Sequence, residues 1–195
     1  MKRVGLIALL SLAAGAAAAT AAGPHSPGPS ADRCGGELWR LKTLSDVDRT
    51  RVQLAPRGTT IAAISDRPYP RPVPTRRRTA FQRQNWQVVA QVTRYRLETG
   101  GLRLELYDAG SYLNAVMPQP SCLSRRSRAR DVIAETWKEL ISRCARHPST
   151  QWQSLGAIMY VSGVGFWSQR RFLRGSARNG AELHPVTGFR PVVGC

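Results

Sequence analysis

Lysine is almost missing from this 195-residue chain: Lys2, Lys42 and Lys138 stand beside 26 arginines. Acidic residues are few as well, 12 in all, and the formal charge is +17. A positive balance built from arginine favours planar, bidentate partners such as carboxylate and phosphate. Affinity for polyanions is therefore expected. A GC-rich genome, which enriches Arg, Ala, Gly and Pro together, accounts for the same composition without any ligand.

Catalytic groups are scarce. The histidines are His25, His147 and His184, and no Gly-x-Ser-x-Gly occurs, so nothing marks a Ser-His-Asp hydrolase. The four cysteines include no Cys-x-x-Cys, which argues against a zinc knuckle and a thioredoxin-like redox site. Asp46-x-Asp48 hints at calcium but lacks the glycine and closing glutamate of an EF-hand, so a solvated loop is expected. No third ligand for a metal is evident, and no cofactor is expected.

The one long apolar run, Val4 to Ala19, follows Lys2 and Arg3 and ends in small residues. A basic start, an apolar stretch of ~16 residues and an A-x-A-like ending read as a signal peptide over 1–22; a spanning helix needs ~20. No transmembrane segment is expected after cleavage, and without Lys2 and Arg3 the formal charge falls to +15. The chain is thus read as exported, periplasmic or extracellular. Residues 23–33 are rich in Pro, Gly and Ser and read as a disordered leader. Export with an even cysteine count implies two disulfides among Cys34, Cys122, Cys144 and Cys195. Cys122 and Cys144 bracket an expected helix about 24 Å long, whereas bridged Cα atoms lie ~5.5 Å apart, so that pairing is disfavoured. Cys34–Cys122 with Cys144–Cys195 is preferred over Cys34–Cys144 with Cys122–Cys195.

Residues 34–80 form an N-terminal extension in which Thr59 to Ile64 is a short ordered piece. From Asp66 to Arg78, four prolines among arginines predict an extended surface run. From Trp86 the pattern alternates. Trp86, Val88, Ala90 and Val92 share a face, Leu102, Leu104 and Leu106 follow a Gly100-Gly101 turn, and Ser111 to Met117 makes a third strand. Ala129, Val132, Ile133, Thr136, Trp137, Leu140, Ile141 and Cys144 fall at amphipathic helical spacing, with Ser127 as the expected N-cap. Two more strands follow, around Leu155–Val161 and Ala181–Val186. The order β-β-β-α-β-β predicts a mainly β domain over 81–195, an OB-like five-stranded Greek-key barrel with its helix between the third and fourth strands. The competing architecture is another small α+β roll or an open sheet with one helix.

Glu182 and His184 stand two apart on the last strand and share a face. They are the candidate acid/base pair, set against a barrel-rim histidine bonded to its neighbour. Arg170, Arg171, Arg174 and Arg178, with Trp167 and Asn179, form the candidate ligand-binding surface. Cations mixed with aromatics suit a polyanion, or single-stranded nucleic acid in particular. The bland alternative has the aromatics closing the barrel and the arginines solvated.

Four stretches together resemble a family of uncharacterised exported bacterial proteins: Cys34-Gly-Gly-Glu-Leu-Trp39-Arg-Leu-Lys42-Thr43, Thr59-Thr60-Ile61, Gly163-Val164-Gly165-Phe166-Trp167, and Asn179-Gly180-Ala181-Glu182-Leu183-His184-Pro185-Val186. The resemblance implies export and no particular activity. Where the family carries Asp, His and Pro, this chain has Ser168, Arg171 and Arg178, while Asn179, Glu182 and His184 remain. Those departures favour a binding module. The alternatives are a nuclease-like hydrolase using His184 and Glu182, and an envelope structural or partner-binding protein whose protein partner is unknown.

Overall fold

The computed structural model describes residues 34–170 and 172–195. The expected signal peptide, the leader and Arg171 lie outside them. Six strands make one mixed sheet: β1 (Gln53–Gly58), β2 (Gln84–Glu98), β3 (Gly101–Asp108), β4 (Ser111–Pro118), β5 (Gln153–Trp167) and β6 (Ala181–Val193). Among the described residues three α-helices accompany it, α1 (Trp39–Lys42), α2 (Ile61–Ser65) and α3 (Arg130–Arg143). None is long and apolar enough to cross a membrane among the described residues.

The alternation of apolar residues read on β2 and β3 is seen in the structure, while β4 is buried continuously from Leu113 to Pro118. Val88, Ala90 and Val92 on β2, Leu102, Leu104 and Leu106 on β3, and Leu113, Ala115 and Met117 on β4 are almost wholly buried. Each Val, Leu or Met side chain among them contributes about 1.5–3 kcal/mol by leaving water. A bulge between Val92 and Arg94 shifts the inward positions of β2 so that Tyr95 rejoins the core. Antiparallel pairings join β2–β3, β3–β4, β2–β5 and β5–β6, while β4 and β6 run parallel with only two residue pairs in ladder register. The ring is therefore not cleanly closed. Helix α3 packs on β6 and β4 and buries Ile133, Thr136 and Leu140.

Five of the strands stand where the sequence reading placed them, but the sheet has six. The additional one, β1, joins β2 in parallel. It contains Pro56 and lies almost entirely exposed, so it has no alternation to read. Proline is tolerated there because one edge of the strand needs no ladder partner.

Other expectations are corrected. Helix α3 begins at Arg130 behind Ala129, and no side chain caps it; the Ser127 hydroxyl is buried without a partner. Asp46 and Asp48 are not solvated. They are buried and hold Arg77 and Arg76 through the ion pairs Arg77–Asp46 (3.0 Å) and Arg76–Asp48 (2.8 Å). The proline-arginine run is likewise not all surface, because Arg77 in its last turn is 1% exposed. The disulfides are Cys34–Cys122 and Cys144–Cys195, with Cα separations of 5.2 and 4.8 Å.

Candidate functional site

Residues that alternate with the core on β2, β3, β4 and β6 must share the opposite face of the sheet. Strand register turns this rule into a row. Arg94 pairs with Glu105, Glu105 with Asn114, and Asn114 with Glu182. A second row brings Arg96 beside Arg103 and Arg103 beside Val116. Above these rows lies a cavity of about 570 Å³. One wall comes from α1, through Trp39 and Lys42; the Cys34–Cys122 bridge ties down the chain just ahead of it. The loop from Ser168 to Gly180 forms another, and Trp152 a third.

The charges of this face are paired. Arg94 reaches Glu105 at 2.7 Å, and Thr93 donates its hydroxyl to the other carboxylate oxygen at 2.8 Å. Glu98 takes Arg96 and Arg103, each at 2.7 Å, and Arg103 stretches on to Glu182 at 3.4 Å. Burial alone would raise the Glu98 carboxyl, but Arg103 and Arg96 outweigh it and hold it below the ordinary carboxylate range. Burial would likewise lower Arg103, but Glu182 and Glu98 outweigh it and strengthen its hold on the proton. Asn114, with its amide oriented to satisfy both ends, accepts from Arg103 Nη1 at 3.3 Å and donates to the Gly175 carbonyl at 3.2 Å. Arg94 and Arg96 stand over the Trp152 ring at 4.4 and 4.6 Å, within cation–π range.

Glycine seats the loop on this face. Gly175 has φ +85°, and a Cβ there would run into the Glu105 carboxylate. Gly180, with φ +70°, would set its Cβ 2.6 Å from the Ser168 carbonyl at the loop's other end.

At the cavity wall lies His184, 4% exposed. Neither ring nitrogen has a hydrogen-bond partner among the described residues. Its ring packs 5.6 Å from Phe166, over which the Lys42 ammonium stands at 5.4 Å. Burial, then the nearby charges of Lys42, Arg103 and Arg77, push the imidazole well below its usual range, so it is neutral at pH 7. A neutral imidazole offers one donor and one acceptor, both here without a protein partner.

The expected site residues separate. Glu182, His184 and Arg174 line the cavity together. Glu182 turns to Arg103 and makes no hydrogen bond to His184, so the two are not an oriented acid/base pair. Trp167 is core: it is 2% exposed, its indole donates to Thr79 at 3.1 Å, and it packs on Phe81 and Tyr69. Asn179 is a clamp. Its amide donates to the Ile64 and Arg67 carbonyls (2.8 and 3.0 Å), and its oxygen accepts from the Ala181 N–H. Arg170 is exposed and stands 4.4 Å over Tyr69. Arg178 lines an adjoining cleft with Arg174 and Phe172. Among the described residues no group of three or more His, Cys, Asp or Glu is placed to hold a metal.

Sequence reasoning missed Arg94, Arg96, Glu98, Arg103, Glu105, Trp39, Lys42 and Trp152 as cavity residues. The signal for the strand residues was present: charged positions alternating with the apolar ones of β2 and β3. Their pairing across four strands was not.

No protein-family model matches the chain, and no curated protein matches it. A chain assigned as an aspartyl-tRNA synthetase from Leishmania major Friedlin is similar in structure at 10% identity and a TM-score of 0.46. The likeness covers 74% of this chain and 22% of that one, and the score is too low to support a conclusion about fold or function.

Proposed function

We propose that this chain is an exported, disulfide-stabilised OB-like binding module whose cavity takes a segment of a polyanion, single-stranded nucleic acid in its fullest form. The observation that carries the reading is His184: a buried imidazole lining a cavity with both nitrogens unpartnered. Hydrogen-bonding groups are seldom buried without partners, and one at a cavity wall favours a ligand that supplies them. Lining cations outnumber carboxylates five to three, and each carboxylate is already held by arginine. The net charge of the lining is positive and favours an anion. A cavity of about 570 Å³ lies within the usual range for a small-molecule-sized ligand. Trp39 and Trp152 add ring surface of the kind on which bases stack.

The OB-like part of the proposal is supported by neighbour order. Strands β2, β3, β4, β6 and β5 follow one another around the sheet, β5 returns to β2, and the helix falls between β4 and β5. The basic-apolar N-terminus, the two bridges and the resemblance to exported bacterial proteins support export. The hydrolase reading has less behind it, because nothing orients His184 and Glu182 is engaged by Arg103.

The test is fluorescence anisotropy with a labelled single-stranded oligonucleotide and with a sulfated polysaccharide. Binding to the oligonucleotide that weakens steeply between 50 and 200 mM salt, and is reduced in Arg174→Ala and His184→Phe, is expected. Absence of affinity for either polymer at low salt would overturn the proposal. Preference for the polysaccharide would keep the polyanion and remove the nucleic acid. Shortening of the oligonucleotide, abolished in His184→Ala, would favour the hydrolase.

A further inference from the structure

A second cluster of arginines lies away from that cavity, where β1 meets β2. Register sets Arg57 on β1 opposite Trp86 on β2. The Trp86 indole is pinned by donating to the Phe81 carbonyl at 3.0 Å. Arg67 stands over that ring at 4.5 Å and over Phe81 at 5.5 Å, and Arg57 stands over Trp86 at 5.8 Å. Arg51 and Arg83 complete the cationic rim of an open cleft of about 780 Å³.

Among the described residues no carboxylate lines this cleft. Among the described residues Arg51 has one ion pair, to Asp48 at 3.6 Å, and Arg57, Arg67 and Arg83 have none. The Arg67 Nε is buried and lacks a hydrogen-bond partner. Burial, then the charge of Arg57, lower the proton affinity of Arg67, as unrelieved crowding of like charge requires. Elsewhere in the molecule buried arginine is compensated: Arg77 and Arg103 each hold carboxylates. Here two guanidinium groups share one indole with nothing opposite them.

We infer that this cleft is a second anion site that takes a phosphate group between Arg57, Arg67 and Arg83, with Trp86 as its wall. Guanidinium groups match the oxygen geometry of phosphate and hold it through paired hydrogen bonds. Such a ligand would supply the counter-charge that Arg67 lacks. The inference rests on this cleft alone and does not require the first cavity to bind anything.

The test follows the Arg67 Nε–H and Trp86 Nε1–H signals by NMR as the whole chain is titrated at constant ionic strength. One arm uses inorganic phosphate and the other an unphosphorylated-end thymidine oligonucleotide; the His184 ring signals report the first cavity independently. Saturable shifts at Arg67 and Trp86 are expected, with affinity at least ~10-fold weaker in Arg57→Gln, where an exposed arginine can be replaced without disturbing the core. Saturation by phosphate supports a free or terminal phosphate, and saturation by the oligonucleotide alone supports phosphodiesters. Shifts that stay linear in both arms, that chloride reproduces at equal ionic strength, or that Arg57→Gln leaves unchanged would overturn the site.

Discussion

Arg77 and its neighbours Arg76 and Arg78 are indistinguishable in sequence, yet they live in different solvents. Arg77 donates to Asp46 at 3.0 Å, to the Gln82 carbonyl at 3.0 Å and to the Leu41 carbonyl at 2.7 Å, with almost no exposure. It joins the end of α1, the Asp46 turn and the turn before β2. Removing one member of a buried pair leaves the other charge uncompensated, so Arg77→Met should cost about 3–5 kcal/mol in urea unfolding. Arg76→Ala should move the same midpoint much less, because Arg76 is exposed on its Asp48 pair. Equal effects would show that the burial of Arg77 does not matter to stability.

His184 gives a pH dependence with a definite sign. Its folded form titrates well below the usual histidine value, whereas in the unfolded chain it titrates near 6.5. Above pH ~6.5 both states are neutral there and the full stability is present. As pH falls below that value the unfolded state takes up a proton that the folded state refuses, so stability declines. The urea midpoint should drop between pH 7.5 and 5, and His184→Phe should remove most of that drop. An unchanged slope in the variant would assign the decline to other groups.

At the scale of elements, what the sequence made legible was the set whose signal is local. Inward residues of β2 and β3 alternate over many positions, and any such run must bury one face. Strand β1 escaped because it is exposed, proline-bearing and paired on one side only. The helix boundary shifted because the Ser127 hydroxyl faces inward instead of capping. Close approaches between elements also left no mark beyond a glycine. A Cβ at Gly165 on β5 would collide with the Phe81 carbonyl in the turn before β2. Gly165→Ala should therefore destabilise by about 1–3 kcal/mol, as overpacking does, and a thermal melt checks it. Gly175→Val should instead lift the 168–180 loop off Glu105. Faster amide exchange confined to that loop, with weaker oligonucleotide binding and a little-changed melting temperature, is the expected outcome. Global loss of protection would mean that the loop belongs to the folding core.

Across the whole molecule the two bridges close long loops, with sequence separations of 88 and 51 residues. Each contributes about 2–5 kcal/mol by the measured range for native bridges. Their local duties differ. Cys34–Cys122 ties down the chain just before α1, and with it the wall that carries Trp39 and Lys42. Cys144–Cys195 anchors the chain end beyond β6 to the end of α3. Cys34→Ser with Cys122→Ser should thus weaken ligand binding as well as lower the melting temperature, whereas Cys144→Ser with Cys195→Ser should lower mainly the latter. Matched loss of binding in both would remove the link between the first bridge and the cavity.

By itself the sequence determined the alternation of β2, β3 and β5, the helix α3, the excess of arginine and the exclusion of a Cys122–Cys144 bridge. These follow from neighbours a few residues apart, from counts, or from the reach of one helix. Which of the two remaining pairings forms was decided by the fold. Tertiary structure alone decided which arginines are paired, stacked or left without a counter-charge, and it turned Trp167 and Asn179 from candidate ligand groups into core and clamp. Those decisions depend on partners far along the chain: Asp46 lies 31 residues from Arg77, and Ile64 lies 115 from Asn179. A guanidinium is the same group at each of its 26 positions. Burial and the nearest carboxylate, which only the folded chain supplies, set what it does.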